Sequence, residues 1–63
     1  MLKHNILRGL REARSESLSA AAEGIGITKS ALAMYERGER TPRDEVKVKI
    51  ALYYGKTVQE LFF

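Results

Sequence analysis

The stretch Ala22-Glu23-Gly24-Ile25-Gly26-Ile27-Thr28-Lys29-Ser30-Ala31-Leu32-Ala33-Met34-Tyr35-Glu36-Arg37-Gly38 decides how this chain folds. It holds the end of one short helix, a tight turn and the whole of a second helix. Gly26 is suited to the left-handed conformation that ends many helices. Only Ile27 and Thr28 then stand before the next segment, Lys29 to Arg37, with Thr28 as its cap and Gly38 closing it. The second helix is two-faced. Thr28, Leu32, Tyr35 and Glu36 share one side, and Ser30, Ala33, Met34 and Arg37 share the other. One side can pack while the other offers mostly short side chains to an outside surface.

Working outward, Ala20, Ala21 and Ala22 favour a helix over Leu18 to Ile25, capped by Ser17. Ala22 is small enough for a steep crossing of the two helices. A first helix over Leu2 to Arg14 follows from Leu2, Ile6 and Leu10 at a spacing of four, with Leu7 beside them. Past Gly38, Thr41-Pro42-Arg43-Asp44 reads as a helix start, with Thr41 capping, Pro42 at the first position and Asp44 closing a capping box. That fourth helix runs to Tyr54 and stops at Gly55. Thr57-Val58-Gln59-Glu60 is a second capping box, opening a last turn or two through Leu61, Phe62 and Phe63. No period-two alternation is long enough for a sheet, so the fold class is all-α, with five helices in one domain over residues 1–63.

Composition narrows the function. A chain of 63 residues buries roughly 60% of its unfolded surface and holds no room for a two-lobed enzyme. With no Cys there are no disulfides, no thiolate chemistry and no Cys-ligated zinc. The only His is His4, and neither a metal-ligand pattern nor a nucleophile–base pair is visible, so no enzyme, metal, cofactor or small-molecule substrate is expected. No apolar run approaches about 18 residues and no signal peptide is visible, which predicts a soluble, cytoplasmic protein. The formal charge of +3, from 11 basic and 8 acidic residues, permits a nucleic-acid partner without demanding one.

Two short helices joined through Gly26-Ile27-Thr28 form the pattern of a helix-turn-helix. A helix whose outer face is flat can lie in a major groove about 12 Å wide. From Leu7 to Phe63 the sequence resembles the Cro/phage-repressor (XRE-type) helix-turn-helix domain. The residues that carry the resemblance are Leu10-Arg11, then Ala22-x3-Gly26-Ile27-Thr28-x-Ser30-x-Leu32-x2-Tyr35-Glu36-Arg37-Gly38. Arg40-x-Pro42, Ile50-Ala51 and Gly55-x-Thr57-Val58-x2-Leu61-Phe62 complete them. The resemblance implies a compact five-helix, lambda-repressor-like domain that binds a double-stranded DNA operator, regulates transcription as a repressor and pairs as a homodimer.

The same resemblance assigns roles. Thr28, Lys29, Ser30, Ala33 and Met34 fall where the family's third helix meets phosphates and base edges. Ser17, Leu18 and Ser19, at the start of the second helix, and Arg37, Arg40 and Arg43, around the following loop, fall where it tracks the DNA backbone. Arg11 and Glu36 occupy the family's structural ion pair. Two positions depart from the family pattern. Leu18 stands where Gln commonly clamps a phosphate, which leaves the backbone N–H groups of the helix end for that contact. Ala33 and Met34 replace residues that are often polar, which shifts specificity toward DNA shape.

Two other classes compete. A protein-interaction module, such as an antitoxin-like or regulatory partner subunit, would use the apolar end Leu61-Phe62-Phe63, whose alternative use is a two-fold homodimer interface. Membrane-surface binding would use the Lys47/Lys49 side of helix four with Tyr53 and Tyr54, against which Asp44 and Glu45 count.

Overall fold

Backbone hydrogen bonds build five α-helices in the computed structural model, which describes residues 4–63. They are α1 (His4–Ala13), α2 (Leu18–Ile25), α3 (Lys29–Arg37), α4 (Asp44–Tyr54) and α5 (Val58–Phe62). The all-α expectation holds, and α2 and α3 occupy their expected spans to the residue. The expected start of α1 at Leu2 lies outside the described residues, as does the His4 side chain. The helix ends at Ala13, one residue early, because Ser15 turns left-handed at φ 56°.

Local chemistry sets most of the boundaries. Ser17 accepts a hydrogen bond from the Ala20 N–H at 3.0 Å, and Thr28 does the same for Ala31 at 3.0 Å. Gly26, at φ 93°, returns its N–H to the Ala22 carbonyl at 2.8 Å and closes α2 in the conformation only glycine adopts at little cost. Thr57 and Glu60 form the full reciprocal capping box expected for α5.

Helix α4 corrects the reading of its start. Asp44 is the first helical residue and Arg43 the cap, with no side-chain cap bond, so Thr41 does not cap and Pro42 is not in the first turn. Pro42 is instead buried, its preceding residue held out of the helical region by the ring. Asp44 and Glu45 then fill the first turn, where the helix dipole favours negative charge.

One core gathers every helix. Leu7 of α1, Leu32 of α3, Ile50 of α4 and Leu61 of α5 are its fully buried large side chains, with Ala21, Ala22 and Ile25 of α2 closing it. Helix α3 packs on α1 and α2, while α4 sits under α2 and against α5. The small face of α2 permits close approach. A Cβ on Gly24 would overlap the Tyr53 ring of α4. Leu61, expected at a two-fold interface with Phe62 and Phe63, is instead 1% exposed within this core, whereas Phe63 is 73% exposed.

Tyr53 and Tyr54 are turned toward the α1–α2 turn rather than toward a membrane. Their rings meet edge to face with centroids 5.1 Å apart, and the Arg14 guanidinium lies 5.0 Å from each. The Tyr53 hydroxyl donates to the Glu16 carboxylate, tying α4 to the turn before α2. Lys47 is likewise tucked in, its ammonium 4.8 Å from the Phe63 ring centre and 5.7 Å from that of Phe62. The Lys47, Tyr53 and Tyr54 side chains therefore do not form one outward face. No helix among the described residues is long and apolar enough to cross a membrane.

Burial pushes the Tyr54 phenol up to about 12, and its hydroxyl finds no hydrogen-bond partner among the described residues. An acid whose folded pKa lies above its unfolded value of about 10 stays neutral in the fold while the unfolded chain ionises. Its contribution is complete below about pH 10 and is lost as pH rises toward 12. Tyr54→Phe should therefore gain on the wild type across that window, read as a difference in urea midpoints that moves in the variant's favour as pH rises. Midpoints that keep a constant separation from pH 9 to 12 would contradict the assignment.

Candidate nucleic-acid interface

The outward surface is built from the starts of α2 and α3. At each start the cap hydroxyl accepts a backbone N–H, which leaves its own O–H as a donor: Ser17 on α2 and Thr28 on α3. The remaining N–H groups of a first turn have no partner within their helix, so such ends attract anions. Ser17, Ser19, Thr28, Lys29 and Ser30 are all exposed, and Leu18 between the two serines is half-buried against the core. Leu18 can serve this surface through its backbone alone.

The two faces of α3 separate as the spacing requires, with differences of degree. Leu32 and Glu36 are buried and Tyr35 is half-buried against the core. Thr28, placed on that side by spacing, is exposed because it is the cap. On the other side Ser30 and Arg37 are exposed, while Ala33 and Met34 are half-buried. The outer face is therefore low, without long side chains until Arg37.

Arg11 and Glu36 hold α3 at its angle to α1. The guanidinium donates from Nε to Glu36 Oε2 at 2.8 Å and from Nη2 to Oε1 at 3.1 Å, while Nη1 donates to the Glu16 carbonyl at 2.9 Å. The side chains are only 12% and 6% exposed. The fork of two parallel bonds is the strongest carboxylate geometry that arginine makes, and the hydrogen bond to Glu36 holds the Arg11 pKa above its ordinary value. A single side chain thus joins α1, the α1–α2 turn and α3.

Basic residues ring this surface unequally. Lys29, Arg40 and Arg43 are exposed. Arg37 is exposed too, but its guanidinium is gripped by Glu39, with both N–H···O contacts at 3.0 Å. Arg8 pairs with Glu12 at 3.1 Å across one turn of α1. An open cleft of about 610 Å³ runs between these elements, lined by Arg8, Arg11, Leu18, Ala33, Glu36, Arg37 and Glu39. Sequence spacing singled out neither Arg8 nor Glu39. Glu39 reaches Arg37 because Gly38, left-handed at φ 74°, folds the chain back beside the helix end. The glycine was the available signal. Among the described residues no cluster of His, Asp or Glu could hold a metal ion.

Phe62 is half-buried and packed on the core, which leaves Phe63, with Leu52 and Val48 of α4, as the exposed large apolar side chains among the described residues.

Comparison with known proteins agrees with this architecture. The helix-turn-helix family matches residues 7–61. A relative, the cryptic phage CTXphi transcriptional repressor RstR of Vibrio cholerae, is 36% identical over 55 residues, which cover 87% of this chain and 50% of that protein. The chain thus spans about half the length of that relative. With α2, the Gly26 turn and α3 in place and the match running from α1 to α5, the chain belongs to the helix-turn-helix family.

Proposed function

We propose that the domain is a sequence-specific regulator of transcription that lays α3 in the major groove of double-stranded DNA and represses from an operator. One observation carries this reading. The low outer face of α3 is flanked by two capped helix starts and by exposed Lys29, Arg40 and Arg43. Thr28, Lys29 and Ser30 would donate to base edges or phosphates, and Ala33 and Met34 would offer apolar contact, as to a thymine methyl. The N–H groups at Ser17, Leu18 and Ser19, together with Arg37, Arg40 and Arg43, would follow the backbone. A two-fold pair of such domains would set two reading helices about one turn of DNA apart, roughly 34 Å. The exposed Phe63, with Phe62 at its base, is the apolar surface through which such a homodimer would form. Kinship with a phage repressor supports the same reading and a cytoplasmic setting.

Selection from random duplex oligonucleotides tests it. Enrichment of a palindromic site, with preference moved by Ser30→Ala, is the expected result. Failure to enrich any site would transfer the exposed Phe63, Leu52 and Val48 to the alternative, a protein-interaction module of the antitoxin-like kind.

A further inference from the structure

The geometry points to Glu39 as a built-in competitor for the DNA backbone, a carboxylate that occupies Arg37 until a phosphate displaces it. The inference rests on the DNA-binding reading and adds a residue that lowers affinity. Arg37 and Ala33 line one cleft with the α2 start at Leu18, so a backbone passing the α3 face runs beside this guanidinium. Of the two forks of the Arg37 guanidinium, the Nε–Nη2 edge is taken by Glu39, with both contacts at 3.0 Å. Carboxylate and phosphate use the same fork, so the two anions exclude each other there. Of the other guanidiniums in the cleft, Arg11 is held in a buried pair with Glu36, and the partner of Arg8, Glu12, does not line it. Glu39 does line it.

The pair is open to water, with side chains 58% and 56% exposed, and exposed pairs are weak enough to exchange. The hydrogen bond to Arg37 draws the Glu39 pKa below its ordinary range, so the carboxylate stays charged at neutral pH. Once displaced, that charge remains in the cleft and repels the phosphate that replaced it. The penalty carries no base information, because phosphate contacts position a protein without reading sequence. Glu39 therefore weakens binding to all duplexes alike and sharpens the salt response of none.

The test needs no operator, only a labelled duplex of about 30 base pairs of arbitrary sequence in about 50 mM salt, where phosphate contacts dominate. Glu39→Gln should bind about three- to tenfold tighter than wild type, the range expected for removing one nearby screened charge. Its plot of log affinity against log salt should steepen, by no more than about one unit, because in the wild type the displaced carboxylate offsets part of the positive charge that Arg37 brings to the phosphate. Glu23→Gln, removing the same charge near the far end of α2, should gain clearly less. Arg37→Gln should cost more in the Glu39→Gln background than alone, because only there is the fork free beforehand. Glu39→Gln binding no tighter than Glu23→Gln, or no coupling to Arg37, overturns the inference. Wild type that fails to bind any duplex overturns the DNA-binding reading itself, and the inference with it.

Discussion

Glu36→Ala should lower the stability of the domain by about 3–5 kcal/mol, the cost of leaving one member of a buried ion pair without its partner. The Arg11 guanidinium would lose two of its three hydrogen bonds and keep only the Glu16 carbonyl, in a site where it is 12% exposed. Domains of this size shift by about 4–8 °C per kcal/mol, so melting should fall by more than about 12 °C. Stability of about 0.05–0.15 kcal/mol per residue leaves a chain this short close to unfolding. Glu36→Gln keeps one acceptor and the side-chain shape, and should fall between. Base preference should survive wherever the Ala variant is still folded, since Glu36 faces α1 and not the outer side of α3. An unchanged melting temperature would refute the structural role of the pair.

The second large effect concerns binding. Replacing Lys29, Arg40 and Arg43 together by Gln should weaken binding to any duplex by about 100-fold or more at moderate salt. Three lost phosphate contacts should also flatten the salt slope by about 0.9 each. The three residues are exposed, so the folded state should be little changed, and thermal melting provides the control. Ser30→Ala should behave differently, altering the ranking of sequences more than the overall affinity. Equal losses from both kinds of variant on every site would show that the reading face has been placed wrongly.

The boundaries of α2, α3 and α5 were legible because each is set by a residue acting on its own neighbours. Ser17, Thr28 and Thr57 cap the N–H three residues ahead, and Gly26 and Gly38 end helices by conformation alone. The start of α4 misled because Thr41-Pro42-Arg43-Asp44 satisfies a local rule that tertiary burial of Pro42 overrides. Arg11 and Glu36, 25 residues apart, were readable only through family resemblance, since no periodicity links them. Tyr53 and Glu16, 37 residues apart, left no local trace. The burial of Leu61 is hidden from sequence for a related reason. In Leu61-Phe62-Phe63, which side chain turns inward depends on the position of α4 and α1, and Leu61 lies inward while Phe63 lies out.

Arg11 has one more consequence, for the rate of recognition. Because one guanidinium binds α1, the α1–α2 turn and α3 together, the two helix starts that would face DNA keep a fixed spacing before any contact is made. If these starts meet DNA as proposed, their ordering cost falls in folding rather than in association, and no conformational search is expected after encounter. Capture should be a single exponential at every DNA concentration, with selectivity residing in how long the complex lasts.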